Sequence, residues 1–382
     1  MDPMGARGPA SVTAPIGYAP AGTVVADDER PGLLRSPSRA DSSVYDDDGG
    51  VAFETCTVRN IDTADEPPGF VAAGFEAVRL PDRPGLVDLL ADVRDAGRAG
   101  DEQEAQLRSL LTGMVIDLAD GSGLRVDHVA DEGVILRQAG PDGTPVAGAE
   151  HQGAVNVHID QDVQGTPLRQ LFSGTAGEVF GHQSPDSANG TSAQHLVNLW
   201  LPLRQVTRPL ALMDGRSLDR PRHQLRYRLP VDGFLDRDEE QSVNDIWQCL
   251  HDPAQEWWFR PETELGDAYV FDTLSTAHVS FVLPGEDAAG DRYTQLGAVI
   301  DAVRAGDHER ARELAAVETR DVDPAATGPL RGAVAAMDLM LGEARVAATA
   351  DLDEVWCTRA QAARDGVVRQ SLELRAVVTR LR

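Results

Sequence analysis

The stretch Ala154-Val-Asn-Val-His158-Ile-Asp160-Gln161 sets an imidazole and a carboxylate two positions apart inside a short apolar run. Such a run reads as a β-strand, and side chains alternate faces along a strand, so His158 and Asp160 are expected on one side. One neutral imidazole and one carboxylate on a common face are two thirds of a facial site for a metal such as ferrous iron. The third ligand would come from another strand. The best candidate is His278, in the β-rich run Phe271-Asp-Thr-Leu-Ser-Thr-Ala-His278-Val-Ser-Phe281. A lone strand histidine is more often a satisfied core residue, but Thr276 and Ser280 flank it at two-residue steps on the same face. His151, His182, His195, His223 and His251 fall in loops, in a basic cluster or just before a strand, where solvated histidine is the simpler reading.

Around this stretch the chain from Val155 to about Leu283 reads as successive short strands: Val155–Ile159, His195–Leu203, Arg208–Met213, Ala268–Phe271 and Ala277–Leu283. Short strands without alternating long helices point to a sandwich or barrel. A double-stranded jelly roll would bring the two ends of this segment onto neighbouring strands, as the three ligands require. Upstream, strands are expected at residues 51–58, 74–80, 113–118 and 133–137. Between them one helix carries Leu86, Leu89, Leu90 and Val93 on one face, and a second spans residues 102–111. Residues 1–50, rich in Pro, Gly, Ala, Ser and Asp, read as a disordered tail. After Tyr293 the pattern predicts helices near 294–304, 307–319, 329–348 and 351–380, with Thr327 as a cap. Val367, Leu374 and Val378 are expected on one face of the last helix. The expectation is therefore an α+β protein with a jelly-roll core over 51–295, helices on its N-terminal side and an added helical region over 296–382. Apolar stripes on such helices pack on their own domain or, next most often, on a second copy, which makes a homodimer through these helices a second expectation.

At 382 residues with 42% apolar composition the chain can bury a sizeable core. Sixty-two acidic against 35 basic residues give a net charge of −27, which argues against nucleic acid or an anionic membrane as the main partner. Three cysteines, widely spaced, make no disulfide framework or zinc motif, and no apolar run suggests a signal peptide or a span, so a cytoplasmic location is expected. Arg292-Tyr293-Thr294 follows His278 by fourteen positions. On a last barrel strand, Arg292 could grip a carboxylate through two parallel hydrogen bonds and Thr294 could add a third; a surface arginine ending a strand is an equal alternative. Trp247, Trp257, Trp258 and Phe259 read as core or as a wall over the site.

Taken in order, Gly74-Phe75-Glu76, Val157-His158-Ile-Asp160-Gln161, Asn198-Leu-Trp200-Leu-Pro202-Leu203, Pro209-Leu-Ala-Leu-Met-Asp214-Gly-Arg-Ser217-Leu-Asp219, Trp257-Trp258-Phe259, Asp272 and His278-Val-Ser-Phe281 resemble the non-haem iron hydroxylase/desaturase family. That family includes a chain of cephem methoxylase and fungal meroterpenoid-modifying enzymes. The resemblance covers residues 70 to 296 and implies an iron(II)- and 2-oxoglutarate-dependent oxygenase. Such an enzyme would use O2 as co-substrate and hydroxylate or desaturate a C–H bond of a small molecule in specialised metabolism. It implies His158, Asp160 and His278 as iron ligands and Arg292 as the 2-oxoglutarate anchor. Asp160 as a ligand argues against halogenation. Two departures stand out: Leu201 replaces a usual arginine, and the second arginine of the run after the distal histidine is lost. Two alternatives stay open, a metal jelly-roll enzyme that uses no 2-oxoglutarate and a non-catalytic scaffold whose helical region is the interaction element.

Overall fold

The computed structural model describes residues 8–36, 50–130, 134–146, 153–164, 179–230, 243–347 and 351–382. Two large sheets face each other. The first has ten strands in the order β1 (Ser11–Tyr18), β4 (Ala52–Asn60), β16 (Trp257–Phe259), β13 (Leu210–Met213), β18 (His278–Ser280), β9 (His158–Ile159), β15 (Val243–Cys249), β14 (Gln224–Pro230), β3 (Leu34–Arg35) and β2 (Val25–Ala26). The second runs β5 (Phe75–Arg79), β17 (Asp267–Asp272), β12 (Gln194–Arg204), β19 (Arg369–Leu381), β7 (Gly123–Val129) and β6 (Val115–Asp117), with β8 (Ile135–Ala139) also paired to β19. A small hairpin, β10 (His182–Gln183) with β11 (Ala188–Asn189), stands apart.

Period-two alternation sorts side chains into layers. On β12, Val197, Leu199 and Leu201 face outward onto α1 (Leu86–Ala96) and α2 (Asp101–Leu111), packing with Leu89, Leu90 and Leu107. Trp200 faces inward and meets Tyr269 and Phe271 of β17 and Leu212 and Trp258 of the ten-stranded sheet. The ten-stranded sheet turns Val157, Ile159, Val279 and Phe281 away from the interior, onto α3 (Glu286–Arg304), α4 (His308–Ala315), α5 (Gly328–Val346) and α6 (Glu354–Asp365). The result is an α+β architecture of four layers, with the polar residues of interest on the inward faces. Trp247, Trp257 and Phe259 are core residues as expected. Thr327 caps α5, its Oγ1 accepting from the Leu330 N–H at 3.4 Å.

Two expectations are corrected. The first fifty residues are not wholly a disordered tail: β1 pairs in register with β4 along its length and buries Val12, Ala14, Ile16 and Tyr18. Pro15 and Gly17 obscure that alternation in the sequence, and Pro15 is tolerated because β1 is an edge strand and gives up no needed ladder bond. Residues 37–49 lie outside the described residues. At the other end the expected helix over 351–380 stops at Asp365, and Arg369–Leu381 is a strand inserted between β12 and β7. Val367, Leu374 and Val378 fit a helical stripe by spacing. The decisive pattern is Leu372, Leu374, Ala376 and Val378 outward, with Arg369, Ser371, Glu373 and Arg375 at the alternate positions. The helices are thus an insertion between β18 and β19 rather than a tail.

Candidate metal centre

Strands β18 and β9 are antiparallel neighbours in which His278 lies directly opposite His158. Both rings face the interior, 4.3 Å apart between centroids. Asp160 follows the end of β9 and turns its Oδ1 between them, 3.6 Å from His158 Nε2 and 3.5 Å from His278 Nε2. One ligand atom from each of the three lies within 4.8 Å of the others. Donors on adjacent corners of a metal with bonds of about 2.1 Å stand about 3 Å apart, so small side-chain adjustments would close the set on one ion. Each imidazole is oriented by a hydrogen bond from Nδ1 to the carbonyl two residues earlier, His158 to Asn156 O at 2.8 Å and His278 to Thr276 O at 3.2 Å. These bonds leave the lone pair on each Nε2, aimed at the shared point.

The protonation states suit a divalent cation. Burial, then the neighbouring His158, pull His278 down to about 4, so it is neutral at neutral pH. Burial alone would push the Asp160 carboxyl up. The nearby His278 and Arg375 outweigh it and hold the group well below the usual carboxylate range. Arg375 lies 3.8 Å from Asp160 Oδ2, and the Asn198 side-chain amide donates to that same oxygen at 3.5 Å. Oδ2 is therefore engaged by the facing sheet while Oδ1 is presented to the histidines. Among the described residues this is the one cluster of three metal-ligating side chains.

Arg292 and Thr294 do not join it. Both lie on α3, in the helical layer outside the ten-stranded sheet. Arg292 donates from Nε to Asp338 at 2.7 Å and from NH1 to the carbonyls of Ala288 and Arg320, and Thr294 is exposed. The expectation of a barrel-strand arginine fails because the chain enters a helix at Glu286, before reaching these positions.

A different arginine faces the interior. Arg369, the first residue of β19, is 1% exposed. It donates to Ser371 Oγ at 2.7 Å and to Ser280 Oγ at 3.4 Å, and its guanidinium lies 5.3 Å from the Trp200 ring centre. No carboxylate pairs with it among the described residues, and its Nε has no partner there. Gly153 closes against it: a Cβ at that position would sit 2.7 Å from NH1. Burial pulls Arg369 down to about 10, which still leaves it charged at neutral pH. Ser280 is two residues beyond His278 on the same strand face, so this buried cation lies on the order of 7 Å along the strand from the histidine. The signal for it was the alternation of β19, obscured by the helical spacing of the apolar residues.

The other histidines weighed in the sequence lie elsewhere. His223 pairs with Asp252 at 3.3 Å, His195 Nδ1 with Asp272 at 3.2 Å, and His251 packs edge-on against Tyr18. His182 opens β10, and His151 lies outside the described residues. A surface cleft of about 620 Å³, lined by residues such as Arg204, Arg260 and Glu264, includes none of the triad.

Against known proteins, a family model described as an oxidoreductase/YMDC permease-like domain matches residues 127–288, less than half of the chain. All three triad residues lie inside that match, and its oxidoreductase description agrees with the class expected from the residues. No helix among the described residues is long and apolar enough to cross a membrane. Among solved structures, one named iron and alpha-ketoglutarate-dependent endoperoxidase NvfI is similar at 13% identity and a TM-score of 0.46, over 98% of this chain and 99% of that one. A tryptophan-to-phenylalanine variant of that endoperoxidase matches at 14% identity and a TM-score of 0.45, over 99% of this chain and 100% of the other. Among curated proteins there is no significant match. With structural similarity this low, the functional reading rests on the triad.

Proposed function

We propose that this protein is an iron(II)- and 2-oxoglutarate-dependent oxygenase that hydroxylates or desaturates a C–H bond of a small molecule. The observation that carries the reading is the convergence of His158, Asp160 and His278 from two neighbouring strand ends onto one buried point. Two imidazoles and one carboxylate are the donor set expected for ferrous iron with coordination positions left over. When bound, iron with the oxo acid and O2 supplies the oxidising power for hydrogen removal from the substrate. This chain's residues supply position and charge. His158 and His278 hold their tautomers through backbone carbonyls, and Asn198 with Arg375 fixes the rotation of Asp160. Arg369, with Ser280 and Ser371, replaces Arg292 as the anchor for the distal carboxylate of 2-oxoglutarate. A buried guanidinium without a carboxylate is costly until an anion arrives, and its forked donors match that anion. Trp200 stacks beside it and excludes water from the pair.

In the same reading the facing sheets are the halves of a jelly roll, interrupted by α3–α6 before its last strand. The decisive experiment is anaerobic titration with iron(II) and then 2-oxoglutarate. A visible charge-transfer band that needs both additions, together with succinate release in air, supports the proposal. Iron binding without any response to the oxo acid would favour a metal jelly-roll enzyme of another class. Absence of iron binding would sink both.

A further inference from the structure

A cavity of about 430 Å³, within the range of small-molecule sites, opens where β12 begins and β17 ends, and none of the triad residues lines it. It shares three elements with that centre. Strand β12 brings His195 to the cavity wall against Phe70, on the face opposite Asn198, which reaches Asp160 from three residues on. Strand β17 ends in Asp272 at the wall, opposite Val197, while its neighbour Phe271, on the other face of the strand, lies 4.7 Å from the His278 ring. The link from β17 to β18 carries Ser275, also on the wall, three residues before His278.

The wall holds a second buried arginine with unused capacity. Arg220 is 8% exposed, and its one hydrogen bond to a side chain runs from NH1 to the neutral Gln224 Oε1 at 3.0 Å. Its Nε has no partner, and no carboxylate pairs with it among the described residues. Two acids in this region are already used. Asp272 accepts from His195 Nδ1 on one oxygen and from the Leu274 N–H on the other, and Asp214 is held by the Nε and NH2 of Arg216. The ring of His195 is packed between Phe70 and Gly181, where a Cβ would come within 2.4 Å of Cε1. With Nδ1 on Asp272, its Nε2 makes no hydrogen bond among the described residues. A chain with a net charge of −27 has little general attraction for anions, so a buried, carboxylate-free guanidinium at a cavity wall is a selective device.

We propose that this cavity binds an organic carboxylate, with Arg220 as its charge partner and His195, held by Asp272, as a neighbouring polar contact. The binding chemistry stands on Arg220 and does not depend on the oxygenase reading. The test is calorimetric binding of benzoate and of its neutral isostere benzamide to the full chain, with iron(II) binding measured alongside. Wild type should prefer benzoate by on the order of tenfold or more, the scale of one charge-assisted contact. Arg220→Gln should erase that preference, and Arg220→Lys, which keeps the charge and tests the same point if the glutamine variant does not fold, should retain part of it. Equal binding of the two probes by wild type overturns the proposal. A preference that survives Arg220→Gln also overturns it and places benzoate elsewhere, at Arg369 for instance. If the benzoate preference follows Arg220 but iron does not bind, the carboxylate site stands and the oxygenase reading falls. The reverse result removes only the carboxylate site.

Discussion

Arg292 and Arg369 are both buried arginines downstream of His278, yet they sit in opposite circumstances. Arg292 lies in the helical layer with the Asp338 carboxylate at 2.7 Å and two carbonyls, so its charge and donors are engaged in holding α3 to its neighbours. Arg369 lies on the inward side of the last strand with two serine hydroxyls and an aromatic face, and no carboxylate among the described residues. A guanidinium that already has its anion is structural. One buried without an anion is compensated only when a ligand brings it. Proximity in sequence to a metal ligand is therefore a weaker guide than the balance of charge around the side chain.

The contrast can be broken most severely at the triad itself. His278→Ala should abolish measurable iron(II) binding, because no other ligating side chain among the described residues replaces it; wild-type iron affinity in that variant would remove the metal centre and with it the meaning of Arg369. Next in size, Arg369→Gln should weaken 2-oxoglutarate binding by on the order of a hundredfold, as expected for a lost buried charge pair. Arg292→Gln should leave that affinity within about twofold while lowering stability by about 1–3 kcal/mol, read from denaturant unfolding. An inversion of these two results would restore Arg292 as the anchor.

A smaller effect is expected from Asn198→Ala, which removes the amide donor to Asp160 Oδ2 and should weaken iron binding by roughly tenfold, the low end for partners that orient ligands. A separate effect, on stability rather than binding, concerns the junction between sheet and helical insertion. Glu286, fully buried at the start of α3, accepts backbone N–H bonds from Leu283, Arg208 and Asp142. Burial nevertheless pushes it up to about 7. The folded state thus holds a proton that the unfolded chain would release, so the stability linked to it is full below the ordinary glutamate range and is lost as pH rises through about 7. Wild-type stability should fall by up to about 3 kcal/mol between roughly pH 5 and 8, and Glu286→Gln should flatten that slope in pH-dependent unfolding. An unchanged slope would mean that Glu286 is ionised in the native state throughout.

The sequence alone carried the parts of this protein that depend on short-range periodicity. His158 and Asp160 are two residues apart, and a β-strand leaves them little choice but to share a face. The apolar rows at Leu86, Leu89, Leu90 and Val93 mark a helix for the same local reason. Pairing decided the rest. Pro15 and Gly17 disguise β1 until its partner β4 is seen. Leu374 and Val378 satisfy both the helical and the strand period until β12 and β7 close on either side of β19. Which strand completes a sheet after a long helical insertion, and so which arginine reaches the interior, depends on contacts between residues some ninety positions apart, such as Arg369 with Ser280. Local spacing holds no record of those contacts, because the free energy that selects them comes from burying both partners at once.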